Sequence, residues 1–348
     1  MEDFDKICDI YNLYKAHAAA RRGKQGKRDI IIFEMKLSQN LFEIKNSLLD
    51  GSYKPGDYRQ FYVYDPKVRL IHAPLYKDVV VQRCICDQFL APFLENRLIY
   101  DNAACRKDKG THFAINRLSQ FLRNYYKQHG AAGYILKCDF QKYFNNIDHD
   151  ILKYKLKKII IDRNILKLLY IIIDSYENES GKGLPLGNQT SQWFALLYLD
   201  TFDRFIKEQL QIKYYSRYMD DCVLIHDNKE YLKECLEKLI EFAFDNTGLC
   251  FNNKTHIFPT ANGVKYLGFH FYITETGKVI RKVRSTTKTR FKRCLSRMKK
   301  DYAEGLIKST DVRQRICSYV GHLKHGHTYR LQKKIMKEYV LIKNSDIQ

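Results

Sequence analysis

The run KYYSRYMDDCVLIHD, residues 213–227, decides the fold. Aromatic and β-branched residues surround an adjacent pair of carboxylates, Asp220 and Asp221. Aspartate is depleted in strands and two neighbouring carboxylates repel, so the pair reads as the tip of a hairpin between two strands. Two explanations are open for such a tip. It is a polar turn, which accounts for most aspartate pairs, or it holds something doubly positive.

Composition narrows the partners. Of the 348 residues 45% are hydrophobic, enough to bury a core spread over two or three subdomains. Lys and Arg number 60 against 39 Asp and Glu, a formal charge of +21. That excess predicts attraction to a polyanion, nucleic acid first and an anionic membrane surface second. No apolar run approaches the roughly 18 residues of a membrane helix, and the N-terminus lacks a signal-peptide core. A cytoplasmic protein with a nucleic-acid partner and no membrane partner is expected. Ten scattered cysteines without a C-x-x-C pair argue against structural zinc and for reduced thiols.

Working outward from the hairpin, GYILKCDF (133–140) is a short apolar strand that ends on Asp139. GKGLPLGNQTSQ (181–192) is a turn-rich loop leading into a helix, with Thr190 or Ser191 as N-cap. HDILKYKLKKIIIDRNILKLLYIIIDS (149–175) has helical spacing, with Asp148 as its N-cap, and KEYLKECLEKLIEFAFDNTG (229–248) is a second helix. GSYKPGDYRQFYVYDPKVRLIHAP (51–74) alternates as a β-ribbon. Residues 1–50 read as helical around the basic patch RRGKQGKR (21–28), and the end of the chain is helical and basic. Residues 281–300 carry ten Lys or Arg and no acid, which favours phosphate contacts over an ordinary solvated face. Together these elements make an α+β fold, a small antiparallel sheet with helices packed on it.

If the strand of Asp139 neighbours the hairpin, three carboxylates converge at one sheet edge. Such a cluster raises its own pKa values unless cations neutralise it. Hard carboxylate oxygens suit Mg²⁺, and two such ions can clamp the oxygens of an in-line phosphoryl displacement. A chance acidic cluster is the alternative.

At this point six ordered motifs carry a resemblance. YMDD, LKCDFQKYF and GLPLGNQTSQ resemble the palm motifs of reverse transcriptases. YLGF (Tyr266 to Phe269) is similar to their primer-grip hairpin, and NNKTHIF, with Lys254, to the motif before it. VRLIHAPLYKDVVVQ and ACRKDKGTHFAINRL resemble their finger motifs. GNQTSQ and SYVGHLKHGHTYRL look most like the enzymes of diversity-generating retroelements. Short antiphage-defence reverse transcriptases are the second reading, and an RNA-binding, maturase-like scaffold the third.

The resemblance implies a right-hand polymerase fold. Residues 1–49 would be an N-terminal helical extension, 50–132 fingers, 133–280 palm with a finger segment at about 150–190, and 281–348 a short basic thumb. It implies Asp139, Asp220 and Asp221 as ligands of two Mg²⁺ ions, with Mn²⁺ as a substitute and the carbonyl of Phe140 as a further oxygen. Arg69, assisted by Lys67, would meet the dNTP triphosphate, and Phe144 would exclude a ribose 2′-hydroxyl. A structural salt bridge is the other reading of both cations, and a core aromatic that of Phe144. Leu186 stands where many relatives carry Gln, which implies loose nucleotide selection. Gly187, Gln192 and Lys254 complete the expected nucleotide pocket. Arg106 and Lys109 would track the template, Tyr266, Leu267 and Gly268 would grip the primer, and Arg290, Arg293 and Arg297 would follow the duplex. His322, His325 and His327 read as a metal cluster or, more simply, as RNA or core contacts. The implied partners are an RNA template, a DNA or RNA primer, dNTPs and a small basic accessory protein.

Overall fold

The computed structural model describes residues 3–64, 67–177 and 181–338. The last ten residues of the expected thumb, 339–348, lie outside the described residues. By internal contacts the chain forms two compact units. The first comprises Met1–Gly110, Lys137–Cys222 and Glu234–Thr255; the second comprises Thr111–Leu136, Val223–Lys233 and His256–Gln348.

In the first unit, helices Asp3–Cys8, Ile10–Ala20, Arg28–Met35 and Leu37–Leu49 leave the basic patch as a break between the second and third. Asp9 starts the second by accepting from Asn12 N at 2.9 Å. This helix packs on Tyr76–Ile85, and Leu13 of the one and Val80, Val81 and Ile85 of the other are buried. Each such side chain contributes about 2 kcal/mol by leaving water. The ribbon is β1 (Arg59–Val63) against β2 (Arg69–Ala73), antiparallel, with Val63 opposite Arg69.

Two local expectations are corrected here. The apolar stretch after Asp148 is two helices, His149–Ile159 and Arg163–Asp174, because Asp162 caps the second through Asn164 N and Ile165 N. Asp148 caps the first as expected. Helix Gln189–Tyr198 begins after Asn188, so Thr190 and Ser191 lie within it, buried, and are not its cap.

A four-stranded sheet has the order β4 (Tyr214–Tyr218), β5 (Asp221–His226), β3 (Tyr134–Asp139), β6 (His256–Pro259). β3 and β5 each contribute residues to both units.

In the second unit, helix Thr111–His129 buries Ala114, Leu118 and Leu122 against a three-stranded antiparallel sheet. Its strands are β7 (Val264–Tyr266), β8 (Phe269–Ile273) and β9 (Val279–Val283). Arg281 to Val283 are therefore extended, and the basic helix starts later than expected, at Ser285. Helix Ser285–Ala303 buries Phe291, Leu295 and Met298, and the Phe291 ring stacks on Tyr319 at 3.5 Å. All ten cysteines are free thiols; Cys138 and Cys222 are buried, whereas Cys250 and Cys317 are exposed. Among the described residues no helix is long and apolar enough to cross a membrane.

Candidate active site

The acidic turn is built by strand ends. β4 and β5 are joined by Met219 and Asp220 alone, a connection only an antiparallel pair allows. Met219 takes φ 54, a left-handed conformation that costs a side-chain-bearing residue on the order of 1 kcal/mol. Asp220 follows in the turn, Asp221 opens β5, and β3, the other neighbour of β5, ends on Asp139.

The three carboxylates feel one another. Burial raises Asp220 above the usual carboxylate range and Asp139 adds to this, while Arg69 and Arg217 oppose it. Burial pushes Asp221 up to about 6; Lys137 opposes, and Asp139 and Asp220 add. The Asp221 side chain keeps 24% of its surface, but its Oδ1 is fully buried with no partner, which explains a shift that large.

Asp221 and Asp139 also have protein partners. Lys137 donates to Asp221 Oδ2 at 3.2 Å, and Asn252 Nδ2 donates to Asp139 Oδ2 at 2.6 Å. Lys254 stands 3.9 Å from the same Asp139 oxygen, and the Asp139 carbonyl accepts from Asn252 N at 2.9 Å. Among the described residues no three carboxylate, imidazole or thiolate groups are gathered closely enough to ligate an ion. The acids act on one another through charge, and Lys137, Asn252 and Lys254 stand beside two of them. The donor set fits a hard divalent cation, because its oxygens are carboxylates, one of them buried and without a partner.

Around this turn the expected nucleotide residues are spread over several elements. Lys67 and Arg69 are exposed on the ribbon side, and Arg69 acts on Asp220 through its charge. Phe140 is buried against Phe251, 4.6 Å between ring centroids, and pairs with it through an isolated bridge. Lys142, at φ 42, reverses the chain so that Tyr143 is buried and Phe144 stays half exposed. Leu186 and Gln192 are exposed. Gly187 lies so close to the His72 carbonyl of β2 that a Cβ there would collide with backbone.

Gln192, Gly187, Asn188 and Gln82 line a cleft of about 330 Å³ together with Lys24, Lys27 and Arg59.

Two residues expected to contact nucleic acid are buried. Arg106 is buried: it pairs with Glu95 and donates to the carbonyls of Ile99, Asn102 and Glu95. Its donors are spent on its own loop, which leaves none aimed outward. Tyr266 is 1% exposed, and the turn Leu267–Gly268, at φ 44 and 89, is half-buried. Lys109 is half-buried, with its ammonium on the Tyr100 carbonyl at 2.8 Å. Arg290, Arg293 and Arg297 lie on the exposed face of helix Ser285–Ala303. His325 stacks on His112 at 3.5 Å, His322 tilts against Phe269, and His327 Nδ1 accepts from Arg281 N. These histidines tie the second unit together.

Sequence reading misses Lys137, Asn252 and Thr255, whose hydroxyl accepts from Asp139 N at 3.2 Å. Lys137 is within reach of it, because side chains two apart on a strand share a face.

The family model described as "Reverse transcriptase (RNA-dependent DNA polymerase)" matches residues 54–271, well over half of the chain. The chain belongs to the reverse transcriptase family. Over 186 residues it is 23% identical to Protein YkfC of Escherichia coli, covering 51% of this chain and 48% of that protein. Over 223 residues it is 26% identical to the group II intron-encoded protein LtrA of Lactococcus lactis, covering 59% of this chain and 35% of that protein. The chain thus spans about half or less of these relatives. Among solved structures it resembles telomerase from Candida albicans, solved with a fragment of telomeric RNA. The TM-score is 0.51 at 14% identity, over 67% of this chain and 46% of that one. This likeness agrees with the reverse transcriptase polymerase fold in the mixed helices and small antiparallel sheets of the chain. Reverse transcriptases in general depend on divalent metal, for which the acidic turn is the candidate site.

Proposed function

We propose that the chain is an RNA-directed DNA polymerase that extends a DNA or RNA primer with dNTPs on an RNA template. The observation that carries this reading is the acidic turn. A fold gains nothing by burying Asp220 and Asp221 beside Asp139 unless a cation is to be held there. Asp139, Asp220, Asp221 and the Phe140 carbonyl would hold magnesium, two ions in the family pattern and manganese as a substitute. The metal would supply Lewis-acid activation of the primer 3′-hydroxyl and neutralise the departing pyrophosphate.

The rest is done by the chain. Arg69, with Lys67, takes the triphosphate, where a guanidinium can grip phosphate oxygens bidentately. Lys254, beside Asp139, adds positive charge on the same side. Phe144 bounds the sugar, and Leu186, Gly187 and Gln192 shape the pocket. Leu186 fills volume without the amide that many relatives place there, which supports error-prone synthesis.

The regions 50–132, 133–280 and 281–348 correspond in this reading to fingers, palm and thumb. Exposed Arg290, Arg293 and Arg297 follow the duplex, and Leu267 and Gly268 the primer end. Of the biological settings, a diversity-generating retroelement with a small basic accessory protein is favoured by GNQTSQ, SYVGHLKHGHTYRL and Leu186. Genes beside this one distinguish it from antiphage defence: a template and variable repeat pair against a defence island.

Primer extension on an RNA template with Mg²⁺ and four dNTPs tests the activity, comparing wild type with Asp220→Asn. Extension by wild type that the variant abolishes supports it. Equal extension by both would remove the acidic turn from the chemistry.

A further inference from the structure

Directly beneath the acidic turn lies an ion pair that no reading of the motif assigns. Arg217 and Asp203 are both 0% exposed. Arg217 Nε donates to Asp203 Oδ1 at 2.7 Å and Nη2 to Oδ2 at 2.6 Å, a bidentate fork. The same Nη2 reaches the Leu196 carbonyl at 3.1 Å, and Nη1 donates to the Met219 carbonyl at 2.9 Å. Asp203 also accepts from the Tyr215 hydroxyl. The backbone of Arg217 is fixed too, since its N–H donates to the Asp101 carbonyl at 3.1 Å and its own carbonyl accepts from Ala103 N at 3.0 Å.

A buried ion pair is a poor way to stabilise a core, because desolvating both charges offsets their attraction, and apolar residues of similar volume often serve as well. Its yield is geometry. Nη1, which makes no bond to Asp203, ends on Met219, the left-handed residue between β4 and Asp220. A strained backbone persists only where its surroundings over-determine it.

We propose that Arg217, clamped by Asp203, is a positioning residue. It fixes the Met219 carbonyl and through it the placement of the Asp220 and Asp221 carboxylates for a divalent cation. This rests on the reading that those aspartates hold the cation. Lysine cannot replace it, having one compact ammonium where the guanidinium makes a planar fork to three separate acceptors.

The test uses the full chain and two variants, Arg217→Lys and the apolar swap Arg217→Met/Asp203→Leu, with Asp220→Asn as reference. Mn²⁺ binding is measured by electron paramagnetic resonance without nucleic acid, and single-nucleotide extension at saturating Mg²⁺. Circular dichroism melts establish that each variant is folded.

The swap is expected to fold, to keep its KM for the primer–template, and to lose about tenfold or more in Mn²⁺ affinity and in kcat. Arg217→Lys is expected to fall in the same direction by less, and it decides the matter if the swap does not fold. A folded variant with wild-type Mn²⁺ affinity and kcat overturns the positioning role, while an Asp220-dependent site in the wild type leaves the reading of the acidic turn standing. If wild type binds no Mn²⁺ that Asp220→Asn removes, that reading fails and the positioning role falls with it.

Discussion

Lys137 holds its ammonium 3.2 Å from Asp221 Oδ2, while the other oxygen of that carboxylate is buried without a partner. The pair is half a solution: one oxygen is neutralised and the other waits in a dry site. Folding therefore raises the Asp221 carboxyl from an ordinary 3.8 to about 6. Between those values the folded chain binds more proton than the unfolded one, so stability falls as pH rises through the window. In EDTA at pH 7.5, Asp221→Asn is expected to melt above wild type, by about 1–2 kcal/mol. Below pH 4 the two melts should converge. A lower melt for the variant at pH 7.5 would show that the Lys137 bond outweighs the burial.

Leu186 is 38% exposed, at the mouth of the loop that precedes helix Gln189–Tyr198. A glutamine there gains a donor and acceptor that a mispaired nucleotide cannot satisfy equally. Leu186→Gln is expected to lower the misincorporation rate several-fold with little change in melting temperature. Sequencing of products is the check, and an unchanged error spectrum would remove Leu186 from nucleotide selection.

Arg106, expected from its motif to track the template, is instead a buried brace. Arg106→Met leaves Glu95 and three carbonyls short of a donor, and is expected to cost about 2–4 kcal/mol in urea unfolding. The dependence of RNA binding on salt should stay as it is.

The opposite pattern is expected of Arg290, Arg293 and Arg297. Changing all three to glutamine should leave the melt within about 1 kcal/mol, since they are exposed. The slope of log affinity against log salt should fall by about one for each lost phosphate contact. An unaltered slope would place the nucleic acid elsewhere.

The features legible in the sequence are those whose cause is local. Strand ends follow from apolar runs, so the amino-acid order alone assigns Asp139, Asp220 and Asp221 to the ends of short strands. Who neutralises whom is not legible in this way. Arg106 has its carboxylate eleven residues away on a different element, and nothing in ACRKDKG shows that three carbonyls close around it. For Tyr266, a strand pattern gives two faces without saying which is covered. Asp162 starts a new helix inside an apolar stretch whose periodicity runs on through it, a case of one cap prevailing over a pattern. Asn252 serves Asp139 across 113 residues, a pairing only the folded sheet reveals.

The cysteines offer a use beyond chemistry. Cys138 and Cys222, one on each strand that bears a candidate metal ligand, are sealed from solvent, and burial lifts both thiols far from reactivity. Cys250 and Cys317 are open to reagent and fall in different compact units. A spectroscopic ruler, one dye on each, can therefore be attached without entering the strands of the candidate site, once Cys105 and Cys294 are changed to serine. Such a doubly tagged chain would carry one reporter in each compact unit.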